Sequence, residues 1–411
     1  MKITRLHIKN YRRFRDLELQ LNGESVVLFG ENGAGKSSVL EATSAVLSRM
    51  VRHLTHATLR GIEVKDVRLG ADVASVDVEV EHSNTEYSWD TICKIHVLKT
   101  RQNSISIKLG HEILRHLKQG EYNLPIVVSY SVNRAVEDTP LDLNEKRQFS
   151  QLSTYDNSLT SGTDFRVFFE WYRYREDLEN ETKVQTKQLE YQDIQLHAVR
   201  TAIESFLPGF HNLRVIRNPL QLAIDKAGQT LEVNQLSDGE KCLFAMIGDL
   251  ARRLALANPS LPNPLLGEGV CLIDEIELHL HPEWQREVIP RLRTTFPNVQ
   301  FIISTHSPQV LGEVKDMNIL KLEVVEEGVT VTPLPSFFGK DSNRILEDAF
   351  DSSLRNRAIK QQISELFQAI VEEQWEQVKT LHQGLVDQVG HDEPELVKAD
   401  VLIRRKRSLG R

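Results

Sequence analysis

Eight residues near the N-terminus constrain this chain more than any others: Gly30-Glu31-Asn32-Gly33-Ala34-Gly35-Lys36-Ser37. They match GxxxxGK[ST] at every fixed position. The apolar run 25–29 precedes them, and 37–49 follows with apolar residues at helical spacing (Val39, Leu40, Ala42, Val46, Leu47). Strand, glycine loop and helix, in that order, form the setting such a loop needs. The glycines let backbone N–H groups turn inward around phosphate oxygens, and the positive end of the helix dipole points the same way. Lys36 would bring its charge to the β and γ phosphates of ATP, and Ser37 its hydroxyl to Mg²⁺. Asn32, Gly33, Gly35 and Ser38 complete the expected nucleotide contacts.

A second apolar run, Val270-Cys271-Leu272-Ile273, ends in Asp274-Glu275. A buried strand ending this way exposes two carboxylates at the C-terminal edge of a sheet, where open α/β sheets bind ligands. Asp274 is placed to hold the Mg²⁺ shell, and Glu275 to act as general base on the attacking water. Alone the pair is a weak signal; with a phosphate loop upstream it is a strong one.

The rest of the 411 residues fits a soluble nucleotide-handling protein with an α/β fold. There is no apolar run of 18 residues, so no membrane partner is expected, and the first residues lack the apolar core of a signal peptide. The cysteines Cys93, Cys242 and Cys271 are widely spaced and odd in number, which excludes a disulfide framework; the expected setting is cytoplasmic. A net charge of −8 excludes a wholly basic nucleic-acid coat but not a local basic face. Arg404-Arg405-Lys406-Arg407 is such a cluster, though a solvated terminus explains it as well.

Alternation predicts a strand pair over 3–21 with a turn near 11–14, short strands over 62–110 (73–80 and 92–98 the clearest), and a buried strand at 126–129. Residues 135–164 read as a mobile connection and 164–206 as a helical insertion. From Leu213 strand and helix are expected to alternate. After Asp341 the pattern is helical. Apolar positions there, including Leu346, Ile359, Ile363, Leu366, Ile370, Val378, Leu381 and Leu385, form an amphipathic set, suited either to a cap or to docking a partner. The expected domains are a head over 1–340 and a helical partner-docking region over 341–411.

Three further motifs carry a family resemblance. Leu236-Ser237-Asp238-Gly239-Glu240-Lys241 resembles the LSGGE signature of ABC-type ATPases. It also reads as a capping box, Ser237 followed three residues later by Glu240, and both readings hold together. Phe301-Ile302-Ile303-Ser304-Thr305-His306-Ser307-Pro308 is an apolar strand ending in histidine, and Asn10-Tyr11-Arg12-Arg13-Phe14 resembles the turn that begins RecF- and OLD-like heads. With GENGAGKS and Leu272-Ile273-Asp274-Glu275-Ile276-Glu277-Leu278-His279-Leu280-His281-Pro282, the first 320 or so residues resemble SMC- and OLD-like ABC ATPases of anti-phage defence. The PtuA-type ATPases of Septu systems resemble them most.

That resemblance implies an ABC-type head, a mixed sheet with a phosphate-loop core and an antiparallel β subdomain. It implies that Ser237, Gly239 and Glu240 contact nucleotide bound by an opposing copy, in a head-to-tail homodimer. It makes His306 the switch histidine on the γ-phosphate, Arg13 a basic nucleotide contact, and 277–282 the loop crossing the dimer interface. Asn133, Gln148 and Gln151 are candidates for the remaining glutamine-loop position. His279 and His281 lack an evident third metal ligand. His111-Glu112-Ile113-Leu114-Arg115-His116 spaces its histidines by five rather than the four of a zincin helix. The resemblance further implies a separate HNH nuclease of PtuB type as partner, with DNA or another nucleic acid as its target. No Toprim-like acidic strand follows His306, so no nuclease activity of its own is expected. A RecF-like repair or replication clamp is the alternative, and a transporter subunit a weaker one.

Overall fold

The protein is described by a computed structural model covering residues 1–55, 61–95, 106–120, 122–132, 148–160, 164–326, 328–350, 357–391 and 393–409. Two compact units arise, Met1–Gly339 and Lys340–Arg411. In the first, the strands are β1 (Lys2–Tyr11), β2 (Phe14–Gln20), β3 (Val26–Phe29), β4 (Val73–His82), β5 (Thr85–Lys94), β6 (Ile126–Tyr130), β7 (Phe210–Arg217), β8 (Leu220–Lys226), β9 (Gln229–Glu232), β10 (Gly269–Ile273), β11 (Val299–Thr305), β12 (Asn318–Val325) and β13 (Gly328–Leu334). Its helices are α1 (Lys36–Thr55), α2 (Ser106–Gln119), α3 (Phe165–Thr186), α4 (Ile194–Phe206), α5 (Asp238–Ala257), α6 (Pro282–Thr295) and the single turn α7 (Pro308–Leu311).

The central sheet runs β13-β12-β3-β11-β10-β6. From β12 to β6 every neighbour is parallel, and only β13 is antiparallel. Strands β3, β10 and β11 are buried at every residue, the expected state of parallel strands covered on both faces. Parallel pairing sends their C-terminal ends to one edge: Phe29 lies opposite Thr305, and Ile273 opposite both Ile303 and Tyr130. A four-stranded antiparallel sheet, β2-β1-β4-β5, and a three-stranded one, β7-β8-β9, flank this core. The fold is α/β, with a mixed central sheet and antiparallel additions.

The strand pair at 3–21, the strands before the glycine loop and at 126–129, and the helix after the loop form as the periodicity predicts. Over 62–110 the strand expected at 73–80 forms as β4, and the rest differs. Of the strand expected at 92–98, residues 92–94 end β5, which begins earlier, at Thr85, after a tight turn with Ser83 and Asn84 both left-handed, and residues 96–98 lie outside the described residues. Two residues at positive φ make the turn that matches strand twist. The charged start of β5 hides it from pattern reading, because one face of this edge strand is exposed. Residues 106–110, expected as strand, open the helix α2. Within 213–232 the expected strand–helix alternation is instead a three-strand meander. The hairpin β12–β13 closes the strand-bearing part of the chain before the helical stretch expected after Asp341. Of the expected connection 135–164, residues 135–147 and 161–163 lie outside the described residues, and Gln151–Tyr155 is a 3₁₀ turn.

The 164–206 stretch is two helices broken at Lys187, which adopts the left-handed conformation. Asp164 and Asp193 cap them, accepting from the N–H groups of Val167 and Leu196. Phe165, Phe168, Phe169, Trp171 and Tyr172 are all buried. Phe168 stands edge-on to Phe244 of α5, ring centres 5.8 Å apart. A Cβ on Gly248 would lie 3.0 Å from the Phe168 ring. The segment read as an insertion is therefore part of the packing around α5.

A buried ionic node fixes α5 to the central sheet. Asp249 accepts from Arg252 (2.7 Å), Arg253 (2.7 Å) and the Tyr130 hydroxyl (2.9 Å). Arg253 donates onward to the carbonyls of Thr154 (2.6 Å) and Asp156 (3.0 Å). Burial alone would raise the Asp249 carboxyl, but Arg253 and Arg252 outweigh it and hold it down at about 2.

In the second unit α9 (Arg357–Val371), α10 (Trp375–Val389) and α11 (Pro394–Leu409) follow α8 (Ser342–Phe350). Ile363, Leu366, Ile370, Val378, Leu385 and Val386 close on one another and on Leu396 and Ala399 of α11. Much of the amphipathic set that suits docking is thus buried as this unit's own core. Arg404, Arg405 and Lys406, read as a solvated terminus, stand on helix α11. Lys406 donates to the Val371 carbonyl.

Asp249→Ala is expected to destabilise the protein by about 3–5 kcal/mol, because it strands two buried guanidiniums. Because the carboxyl is depressed in the fold, the node's contribution is present above the unfolded value and lost as pH falls from about 4 to about 2. Denaturant melts of the wild type and the variant, at neutral and acid pH, measure both effects.

Candidate functional site

Four parallel strands deliver their ends to one edge of the sheet: Gly30 after β3, Ser131 after β6, Asp274 after β10 and His306 after β11. The glycine loop closes tightly there. Gly33 and Gly35 have φ of +81° and +103°. A Cβ on Gly35 would stand 2.7 Å from the Phe14 ring, so the loop rests against the start of β2. Lys36 is buried and folds back over its own loop, donating to the carbonyls of Gly30 (2.7 Å) and Glu31 (3.0 Å). Burial pulls its ammonium below the usual lysine range, opposed by the carboxylates of Glu275, Glu277 and Asp274. A lysine held on carbonyls, facing acids, is a cation prepared for a more strongly charged anion.

Asp274 is buried, with its N–H bonded to the Tyr130 carbonyl (2.9 Å) and its carboxylate accepting from the Ser304 hydroxyl. Glu275 has left-handed backbone, φ +46°. Together with Ser37, both acids line a cleft of about 440 Å³ whose other walls include Tyr11, Glu41, Ser131 and Val132. That is the size range of small-molecule sites. Glu277, two residues on, is buried and accepts from the backbone N–H of His306 (2.7 Å) and from its Nδ1 (3.0 Å). This contact turns the Nε2 side of the half-exposed ring outward.

The two neighbouring arginines divide their work. Arg12 donates to Asp66 (3.0 Å), Glu41 (2.6 Å) and the Ser38 hydroxyl (3.2 Å), tying β1 to α1. Arg13 is exposed over the loop, donating to the Gly33 carbonyl (3.3 Å). Ser38, expected among the nucleotide contacts, is engaged with Arg12; Asn32 is exposed on the loop.

The signature segment lies apart from this cleft's lining. Ser237 caps α5, and a full capping box forms: the Glu240 carboxylate accepts from the Ser237 N–H and hydroxyl, each at 2.9 Å. Lys226 holds the other Glu240 oxygen. Glu240, expected to contact nucleotide, is buried as part of the cap, its carboxylate taken up by the Ser237 N–H and hydroxyl and by Lys226. Ser237 and Asp238 remain exposed. Gly239 packs on the carbonyl of His279, where a Cβ would approach to 2.6 Å. His281 caps α6. Of the glutamine-loop candidates, Gln151 ties the carbonyls of Tyr122 (2.5 Å) and Ala257 (2.8 Å), and Asn133 lies outside the described residues. Gln148 does not line the cleft; Ser131 and Val132 do.

Ser304, Glu277 and Tyr130 went unread in the sequence. The first two stand within motifs read for neighbouring residues, and their value depends on which strands pair.

Fold and edge together define a phosphate-loop nucleotide-binding head. The model of the RecF/RecN/SMC N terminal domain family matches residues 2–331, and the chain belongs to that family. It is 31% identical to the Retron Ec83 probable ATPase of Escherichia coli, over 86% of this chain and 77% of that one. It is 27% identical to the Retron Vc95 probable ATPase of Vibrio cholerae, over 84% and 78%. With the Septu protein PtuA of Bacillus thuringiensis it shares 25% identity, over 84% and 83%. No helix among the described residues is long and apolar enough to cross a membrane.

Alanine at Gly35 meets both a left-handed backbone and the Phe14 ring, whereas Gly33 has open space at its Cβ position. Gly35→Ala should therefore lower the melting temperature more than Gly33→Ala, which carries only the roughly 1 kcal/mol of backbone strain. Thermal melts of the two variants decide the order.

Proposed function

We propose that this chain is an ATPase that hydrolyses ATP at sites shared between two copies, and that it regulates a nuclease in an anti-phage defence complex. One observation carries the catalytic part. Ser37, Asp274 and Glu275 line one cleft at the sheet edge, Lys36 faces the acids, and His306 is held by Glu277 beside them, while Ser237 and Asp238 at the start of α5 stay exposed and outside that lining. A second copy facing head to tail would bring Ser237 and the Gly239 N–H to the phosphates and complete the site.

The residues suit this chemistry. The inward-turned loop and buried Lys36 fit a polyphosphate, and Ser37 with Asp274 fits the oxygen ligation that Mg²⁺ prefers. Mg²⁺ would neutralise charge on the β and γ phosphates. Glu275 takes a proton from the attacking water, with its own position fixed by the strand end. His306, oriented by Glu277, donates to the γ-phosphate and registers its departure. Arg13 adds a mobile cation over the loop.

The defence role follows from kinship with retron ATPases and Septu PtuA proteins, which span most of this chain. The partner is then a separate HNH nuclease of PtuB type, with DNA or another nucleic acid as the complex's target. The inner faces of α9–α11 are closed on each other, so docking by 341–411 would use outward residues, of which Val397 and Val401 on α11 are exposed.

Glu275→Gln should retain ATP binding but lose turnover by about 100-fold or more, because the water loses its base while Asp274 remains. Phosphate release and nucleotide binding, measured side by side, test it; unchanged turnover removes Glu275 from the role of base. Val397→Asp with Val401→Asp should abolish co-purification of a co-expressed HNH subunit while leaving ATP turnover intact. Undiminished co-purification places the docking surface elsewhere.

A further inference from the structure

Strand β10 leaves the central ladder at Ile273, whose parallel partner is Ile303. The next residue of β11 is Ser304, fully buried, and its side chain takes over where the ladder stops. Its hydroxyl accepts the N–H of Glu275 at 2.8 Å and donates to the carboxylate of Asp274. Its carbonyl accepts the N–H of Ile276 at 3.1 Å. Three consecutive residues of the acidic strand end are therefore held by one serine of the neighbouring strand.

We infer that Ser304 is a positioning residue for hydrolysis, a clasp that sets Asp274 and Glu275 relative to each other. The inference rests on the proposed roles of those two acids. Glu275 stands at φ +46°, a conformation a non-glycine residue adopts at some cost and keeps only when its surroundings hold it. Among the bonds that hold it are the Glu275 N–H on the Ser304 hydroxyl, the Ile276 N–H on the Ser304 carbonyl and the Leu278 N–H on the Glu275 carbonyl (2.9 Å). The hydroxyl's proton goes to Asp274, so a single atom bonds both the backbone under the base and the side chain of the metal ligand. Only a hydroxyl can accept from an amide and donate to a carboxylate at once in this space. Alanine does neither, and a thiol does both weakly. Losing the hydroxyl removes the bond to the part-buried Glu275 amide and the bond to the Asp274 carboxylate, leaving only the backbone bond to Ile276. Nucleotide capture by the loop at Lys36 and Gly35 is untouched, because Ser304 bonds to neither.

The test uses the full chain with Ser304→Ala and Ser304→Cys, measuring ATP turnover, KM for ATP and the Mg²⁺ dependence. Turnover should fall between about 10- and 100-fold in both variants, the scale of a misplaced catalytic group, with KM for ATP within about threefold of wild type. The Mg²⁺ concentration for half-maximal binding of a fluorescent ATP analogue, read without turnover, should rise in both and stay put in Glu275→Gln. Cysteine nearly matches serine in volume, so it keeps the test intact if the alanine variant folds poorly. Wild-type turnover in Ser304→Cys overturns the inference, as does a rise in KM with kcat unchanged. Glu275→Gln separates the two levels: if it turns over normally, the reading of the acids fails. If it is slow while Ser304→Cys is fast, only the clasp fails.

Discussion

The parallel pairing of β10 with β11, continued on either side by β6 and β3, sets where every charged group of the site can stand. Parallel strands all end on one side, so four apolar runs separated by up to 270 positions of sequence present their following residues together (299 − 29). The strands contribute no chemistry themselves. They bury nearly all of their surface, and in exchange the first polar residue after each is forced to the edge. Lys36, Asp274, Glu275 and His306 owe their proximity to that geometry, and so do the cross-strand contacts of Ser304 and Glu277.

Electrostatics then decides how such a site survives without ligand. Lys36 lies on two carbonyls of its own loop, with the acids beyond it. Neither the lysine nor the acids are left as isolated buried charges, a state that costs several kcal/mol per ion. The signature helix shows the same economy. Its Glu240 N–H is covered by the Ser237 hydroxyl and the Ser237 N–H by the Glu240 carboxylate, while Ser237 and Asp238 are exposed. Through Asp249 and the Tyr130 hydroxyl this helix connects to the residue whose carbonyl receives the Asp274 N–H. A bonded route thus runs from the signature helix to the acidic strand end.

Much of this was legible in the sequence where chemistry and periodicity coincide. The phosphate loop between an apolar run and a helical one, and the acidic pair closing Val270–Ile273, needed no structure to be singled out. The α/β class followed from the same runs. What stayed hidden depends on partners distant in sequence. Ser304 reads as a strand residue until β10 is placed beside it, and Glu277 as part of a loop until His306 arrives. Asp249, Arg252 and Arg253, which no sequence pattern singled out, are buried because the 3₁₀ turn and β6 pack over them. The edge strand β5 was misplaced because its register comes from a turn at Asn84 and not from alternation. In 341–411 helical spacing was correct about helices, but it could not show that α11 would supply the surface to cover them.

The central claim is that one copy's phosphate loop works with another copy's signature. Lys36→Ala protein lacks the first and Ser237→Arg protein lacks the second, so each alone should be inactive. A mixed dimer contains one site built wholly from unmutated halves. Combining equal amounts should therefore restore about one quarter of wild-type ATP turnover. A mixture that stays inactive, with subunit exchange demonstrated by differently tagged copies, contradicts the shared site.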